Sequence, residues 1–290
     1  MRVRLLALLS AAALFVLAAV PASAASQGIG YLALGDSVPF GFSKLVNPAD
    51  ASNFVGYPEI AAHLLNIQDV NATCPGEATG GFISLTGTDN LCRPYRSAFP
   101  LHVFYSTSQL AFATSYLMTH NRTRLVTLTL GANDLFRFQK DCKVGPTFGT
   151  CALGFNGMLA VMQANLKTIL GAIRATGYTG LIVAVTYYAL NYSDPVGVGG
   201  ALELNAQMKA AADANGALVA SGFDAWAPVA ATAGGDSCAA GLLIPDSATS
   251  CDVHPTPLGR DLLAKAVVNT IAASCPAASP IGCLDENQAA

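Results

Sequence analysis

Short, unbroken apolar runs separated by helical patterns constrain this chain more than any other feature. Residues 29–34, 125–130 and 181–187 are apolar or β-branched, without a polar residue at every second place. Such a strand is buried on both faces, as parallel sheets require. Helical periods lie between the runs. Residues 57–66 put Ile60, Ala61, Leu64 and Leu65 on one face, and 106–119 also reads as a helix. Residues 156–176 do the same with Leu159, Met162, Leu166, Ile169, Leu170 and Ile173. Further helices are predicted over 200–215 and around Leu258, Leu262, Leu263, Ala266, Val267 and Ile271, with Gly177 and Gly216 as C-terminal stops. Weaker strands at 68–73 and 217–220 bring the sheet to five. Residues 80–100, and the stretch leading to Pro257, read as loop-rich. The alternation predicts an α/β fold of three α/β/α layers around a central parallel five-stranded sheet.

Composition narrows the class. The 290 residues are 52% hydrophobic and 11% charged, against roughly a quarter charged in an average soluble domain. Disorder is excluded, because disordered chains are charge-rich and poor in apolar side chains. Part of the apolar excess is N-terminal. Arg2 and Arg4 precede a stretch, 5–20, that is apolar apart from Ser10, and Pro21-Ala22-Ser23-Ala24 follows. That pattern predicts a secretory signal peptide over 1–24, cut after Ala24 or Ala25, and a single domain over 25–290. A retained anchor fits less well with so short an apolar stretch. The expected product is a secreted monomer with no integral membrane segment after cleavage. The whole chain's net charge of −3 comes with scattered basic residues, so no nucleic-acid surface is expected.

Eight cysteines, at 74, 92, 142, 151, 238, 251, 275 and 283, all follow the leader. An even number in an exported chain reads as disulfides. There is no C-x-x-C, and the histidines at 63, 102, 120 and 254 are isolated, so no metal is expected. Sequential pairing is the simplest of the many that eight cysteines allow: Cys74–Cys92, Cys142–Cys151, Cys238–Cys251 and Cys275–Cys283. Each pair flanks a Gly/Pro/Ser-rich stretch and would clamp a loop.

In open parallel sheets, ligands sit at the carboxyl ends of the strands. Four segments deserve reading on that rule: Gly35-Asp36-Ser37, Cys74-Pro75-Gly76, Gly131-Ala132-Asn133-Asp134 and Asp252-Val253-His254-Pro255. Together they hold a serine, a glycine amide, a side-chain amide and a histidine. Those are the parts of an acyl-transfer site: nucleophile, oxyanion donors and general base.

In the order and spacing of these blocks the chain resembles the SGNH (GDSL-type) hydrolase family, over most of the stretch after the leader. A lone G-D-S is common; all four blocks in order are specific. The resemblance implies a flavodoxin-like three-layer fold and no cofactor. It also implies Ser37 as nucleophile, His254 as base, and an oxyanion hole formed by the Ser37 and Gly76 amides with the Asn133 side chain. One departure stands out. The family's D-x-x-H ending would place an aspartate at 251, where this chain has Cys251. Asp252, two residues before His254, points to the same side in an extended segment and is the expected third member. A backbone carbonyl orienting the ring, leaving a Ser37–His254 dyad, is the alternative. Asp36, and the remaining histidines at 63, 102 and 120, are expected to be structural.

Val38, Pro39, Phe40 and Phe42, with Leu135, Phe136 and Phe138, are candidate apolar walls for an acyl chain, or else ordinary packing. The expected activity is hydrolysis of lipid or short-chain acyl esters. A carbohydrate O-acetylesterase of the same fold, or an inactive secreted binding protein, are the alternatives.

Overall fold

The computed structural model describes residues 28–143, 148–276 and 279–286, with the side chains of 143, 148–153 and 286 outside that description. The expected leader over 1–24 therefore lies outside the described residues, and the expected Cys142–Cys151 bridge falls on the side chain of Cys151, which is also outside the description.

The chain begins with β1 (Gly30–Gly35), the short helix α1 (Ser37–Phe40), α2 (Tyr57–Leu65) and β2 (Gln68–Asn71). Three helices follow, α3 (Thr79–Ile83), α4 (Cys92–Ala98) and α5 (Gln109–Thr119), then β3 (Thr123–Thr129). Next come α6 (Ala132–Lys143), α7 (Phe148–Ala175), β4 (Leu181–Val185), α8 (Pro195–Asp213) and β5 (Leu218–Ala220). The last part holds α9 (Gly222–Ala231), the strands β6 (Leu243–Pro245) and β7 (Cys251–Pro255), α10 (Pro257–Ser274) and α11 (Pro280–Glu286).

Five strands form one parallel sheet in the order β2-β1-β3-β4-β5. Helices α2, α9, α10 and α11 pack in one outer layer, and α3, α5, α7 and α8 in the other. The fold is the expected α/β three-layer sandwich. The central strands are buried almost throughout, which is why their sequences lack alternation. Two pairs of the hydroxyls this traps are joined: Tyr31 Oη and Thr127 Oγ1 share a hydrogen bond of 2.7 Å, as do Tyr57 Oη and Thr129 Oγ1 at 2.8 Å. Most buried hydroxyls in proteins are satisfied in this way.

From β1 the chain moves outward to β2, then crosses to the far side of β1 for β3. The strand order thus reverses between β1 and β3, and the crevice at their carboxyl ends is where such folds bind ligands.

Several elements depart from the predicted pattern. The stretch 80–100 contains α3 and α4, although Gly80 and Gly81 are poor helix formers. They serve close packing instead: a Cβ on Gly81 would lie 2.6 Å from Glu77 Oε1. Helix α9 and the antiparallel pair β6–β7 occupy the stretch predicted as loop-rich, and α6 occupies a stretch to which no element was assigned. α9 begins on a Ser221 cap but holds Pro228 inside, and β6–β7 is short and ends in prolines.

Candidate active site

β1 turns into α1 at Gly35, whose φ is 131°. A Cβ there would sit 2.0 Å from Thr129 O, so the turn requires glycine. Gln109, from α5, holds the same residue. Its Oε1 accepts the Gly35 N–H at 2.6 Å, and its Nε2 donates to Gly35 O at 3.0 Å. Asp36 caps α1, accepting the Val38 N–H on Oδ1 at 2.9 Å and the Tyr187 hydroxyl on Oδ2 at 2.5 Å. Burial pushes the Asp36 carboxyl up to about 6. Ser37 opens the helix, where the first N–H groups have no intrahelical acceptor.

His254 lies on β7 with its Nε2 2.9 Å from Ser37 Oγ. Asp252 Oδ1 is 3.0 Å from His254 Nδ1. This is an ion-pair distance without the straight line of an N–H···O bond. The same carboxylate oxygen accepts the Val253 N–H at 2.7 Å. Contact with His254 holds the Asp252 carboxyl below its ordinary range, against a smaller effect of burial. Both side chains are largely shielded, His254 at 13% exposed and Asp252 at 18%, so the pair is weakly screened.

β7 is fastened at several points. The Tyr188 hydroxyl donates to Val253 O at 2.6 Å, and Arg260 Nε donates to Pro255 O at 3.0 Å. A second Arg260 nitrogen reaches Val55 O at 2.7 Å. A disulfide joins Cys251 to Cys238, and Lys44, in the loop after α1, pairs with Asp246.

The opposite rim comes from the ends of β2 and β3. Gly76 has φ 83°. Asn133 begins α6 and is buried. Its Oδ1 accepts from Asn90 Nδ2 at 2.9 Å, leaving its own Nδ2 without a hydrogen bond among the described residues. Asp134 ties the two loops together, accepting the Thr79 N–H at 2.9 Å and the Thr79 hydroxyl at 2.6 Å. A disulfide joins Cys74 to Cys92. Those sulfurs and Glu77 form, among the described residues, a Cys/Glu cluster close enough to share a cation, but the two sulfurs are bonded to each other.

The structure thus brings Ser37, His254 and Asp252 into line and sets Gly76 and Asn133 beyond the ends of β2 and β3, the two strands that flank β1. Cys275 is joined to Cys283 between α10 and α11. Of the candidate walls, Phe42 meets the site, its ring 4.8 Å from the His254 ring and stacked with Phe54. Val38, Pro39 and Phe40 are buried in the fold instead. Phe138 packs on Phe155. His102 donates from Nε2 to Phe40 O at 3.1 Å, a packing role. Asn90, Gln109, Tyr187, Tyr188 and Arg260 carry no local motif. Only Asn90 had a clue in the chain, its place two residues before Cys92.

A hydroxyl bonded to an imidazole that is backed by a carboxylate can pass its proton to the ring and attack an electrophilic carbon. Fold and site together define a hydrolase of the SGNH type. Residues 33–262 match the model of the GDSL-like lipase/acylhydrolase family, and the chain belongs to that family, which places it among the ester hydrolases in general. Solved structures share the fold at low identity. Phospholipase A1 from Streptomyces albidoflavus is 19% identical with a TM-score of 0.55, over 84% of this chain and 99% of that one. A catalytic mutant of an acetylxylan esterase from Geobacillus stearothermophilus is 17% identical with a TM-score of 0.52, covering 84% and 94%. A lipase from a goat rumen metagenome is 16% identical with a TM-score of 0.54, covering 83% and 97%. No curated protein matches the sequence significantly.

Proposed function

We propose that this chain is a secreted serine hydrolase of carboxylic esters, acting on lipid or short-chain acyl esters through an acyl-enzyme on Ser37. The observation that carries the reading is the 2.9 Å contact between His254 Nε2 and Ser37 Oγ. His254 takes the Ser37 proton as Oγ bonds to the ester carbonyl carbon. The imidazolium then gives that proton to the leaving alkoxide, and the C–O bond breaks to release the alcohol. Water, deprotonated by the same ring, hydrolyses the acyl-enzyme and returns the proton to Ser37. Asp252 stabilises the imidazolium between these steps. Negative charge on the carbonyl oxygen falls to the Ser37 and Gly76 amides and the Asn133 side chain, each such donor being worth roughly 10²–10³ in rate.

The Phe42 ring beside His254 favours an apolar acyl or alcohol group. Export is supported by the leader pattern and the bridged cysteines. A graded series of p-nitrophenyl esters, with acetylated sugars as a second panel, tests the reading. Wild type should turn over and S37A should fall to background, with a serine-directed phosphonate adding at Ser37. Turnover by S37A, or no adduct in folded protein, overturns it. Activity confined to acetylated sugars would move the substrate to carbohydrate O-acetyl esters.

A further inference from the structure

We infer that Asn90 is the positioning residue of the oxyanion hole, registering Gly76 and Asn133 against each other. The inference rests on the serine-hydrolase reading above. A primary amide has two nearly isosteric ends, one donating and one accepting. Asn133 helps an oxyanion only when its NH₂ end faces the reaction; the flipped amide would present a carbonyl and repel the charge. Asn90 decides between the two, because its Nδ2 donates to Asn133 Oδ1 at 2.9 Å and the Asn133 side chain makes no other hydrogen bond among the described residues. With that oxygen engaged, Nδ2 of Asn133 remains free, and it is not sealed from solvent.

The same residue sets the other donor. Asn90 N–H donates to Gly76 O at 3.1 Å. The two backbones meet so closely that a Cβ on Gly76 would lie 2.2 Å from Asn90 O. One residue therefore touches both the β2 loop and the head of α6, two parts of the site that start from different strands.

The segment bearing Asn90 is held from both sides. Asp89 accepts the Cys92 and Arg93 N–H groups at 2.8 and 2.9 Å, and Gly81 N–H donates to Thr88 O at 2.6 Å. The Cys74–Cys92 bridge links the residue two before Gly76 to the residue two after Asn90. Between Asn90 and Cys92 sits Leu91, a non-glycine residue with φ 88°. Such strained backbone persists only where its surroundings over-determine it, and it clusters at functional sites.

Three variants in a steady-state esterase assay test this. N133A should lower kcat by roughly 10²–10³ at nearly constant KM, as loss of an oxyanion donor does. N90D should approach that loss, since a carboxylate facing Asn133 draws its NH₂ end away from the reaction. N90A, which frees the amide to sample both orientations, should lose about tenfold. Added to N133A, N90D should cost under about threefold more, because coupled residues are not additive. A KM effect without a kcat effect, or full additivity in the double variant, overturns the inference. If N90D fails to fold, N90A and N90A/N133A decide by the same criteria. A wild-type rate in N90A and N90D, while S37A is dead and N133A impaired, sinks this inference alone; turnover by S37A sinks the catalytic reading beneath it.

Discussion

At the scale of single residues, the chain's departure from its family is the most instructive point. Asp252 stands one position later than the usual acid, yet the extended β7 backbone turns its carboxylate to the same side as His254. It reaches Nδ1 at 3.0 Å while also bonding Val253 N–H. D252N should therefore lower kcat by two or more orders of magnitude, towards the roughly 10⁴ seen when an orienting aspartate is neutralised. A loss of only a few-fold in the ester assay means a backbone group orients the ring. Glu77 makes a second prediction. It is 3% exposed, and burial, with Asp89 nearby, pushes its carboxyl up to about 8. The folded chain therefore keeps a proton that the unfolded chain gives up near 4.5. Its contribution to stability is greatest in acid, falls as pH rises from about 4.5 to about 8, and is constant above. The neutral variant E77Q should gain on wild type across that window by a few kcal/mol. Urea unfolding at pH 5 and pH 8.5 measures the gain, and an equal difference at both rules the assignment out.

At the scale of elements, the parts that build the sheet were legible and the parts that build the rims were not. The apolar runs and helical periods marked β1, β3, β4, α2, α7 and α10, because burial on both faces of a sheet, or along one stripe of a helix, writes itself into hydrophobic spacing. α6 carries an amphipathic stripe of Leu135, Phe138 and Cys142, but its start is hidden in a turn-like segment. Its sequence mixes Asp134, Arg137, Lys140 and Asp141 with apolar residues, and it begins inside the motif that carries Asn133. The short strands β6 and β7 are bounded by prolines and held by contacts remote in sequence. The motifs marked Ser37, Gly76, Asn133, His254 and, beside it, Asp252, but not Asn90, Gln109, Tyr188 or Arg260, which hold them in place. Those act through hydrogen bonds between residues dozens of positions apart, and single-sequence periodicity is blind to such bonds. Tyr188 illustrates this. Its ring stacks on Trp226 with centroids 3.6 Å apart, and its hydroxyl holds Val253 O at 2.6 Å. Y188F keeps the stack and removes one hydrogen bond, which should cost about 1 kcal/mol. If that bond holds β7 in register, kcat should fall several-fold at constant KM. A stability loss with unchanged kcat assigns Tyr188 to packing alone.

At the scale of the whole molecule, the core and the site are held by different means. The sheet and its two helical layers bury a continuous apolar core, enough for a chain of this length. The site is assembled from loops, and two of the bridges lie in them: Cys74–Cys92 closes a separation of 18 residues beside Gly76, and Cys238–Cys251 one of 13 ending three residues before His254. Each is worth about 3 kcal/mol on loop-closure grounds, exerted locally on segments with little core of their own. The two differ in access. Cys74 and Cys92 are at 0% and 1% exposure, whereas Cys238 and Cys251 are only partly buried. Thiol reductant should therefore open Cys238–Cys251 first, loosening β7 and lowering kcat in a fast phase. A slower phase should follow as Cys74–Cys92 opens and the Asn90 segment is released. Trp226, the single tryptophan, is fully buried and reports on the core. Its fluorescence and the far-UV circular dichroism should outlast the activity. Mass spectrometry of alkylated samples taken along the reduction assigns each phase to its bridge. Loss of activity and core signals together would mean that the bridges support the fold as a whole; activity surviving full reduction would mean that the loops keep their shape without them.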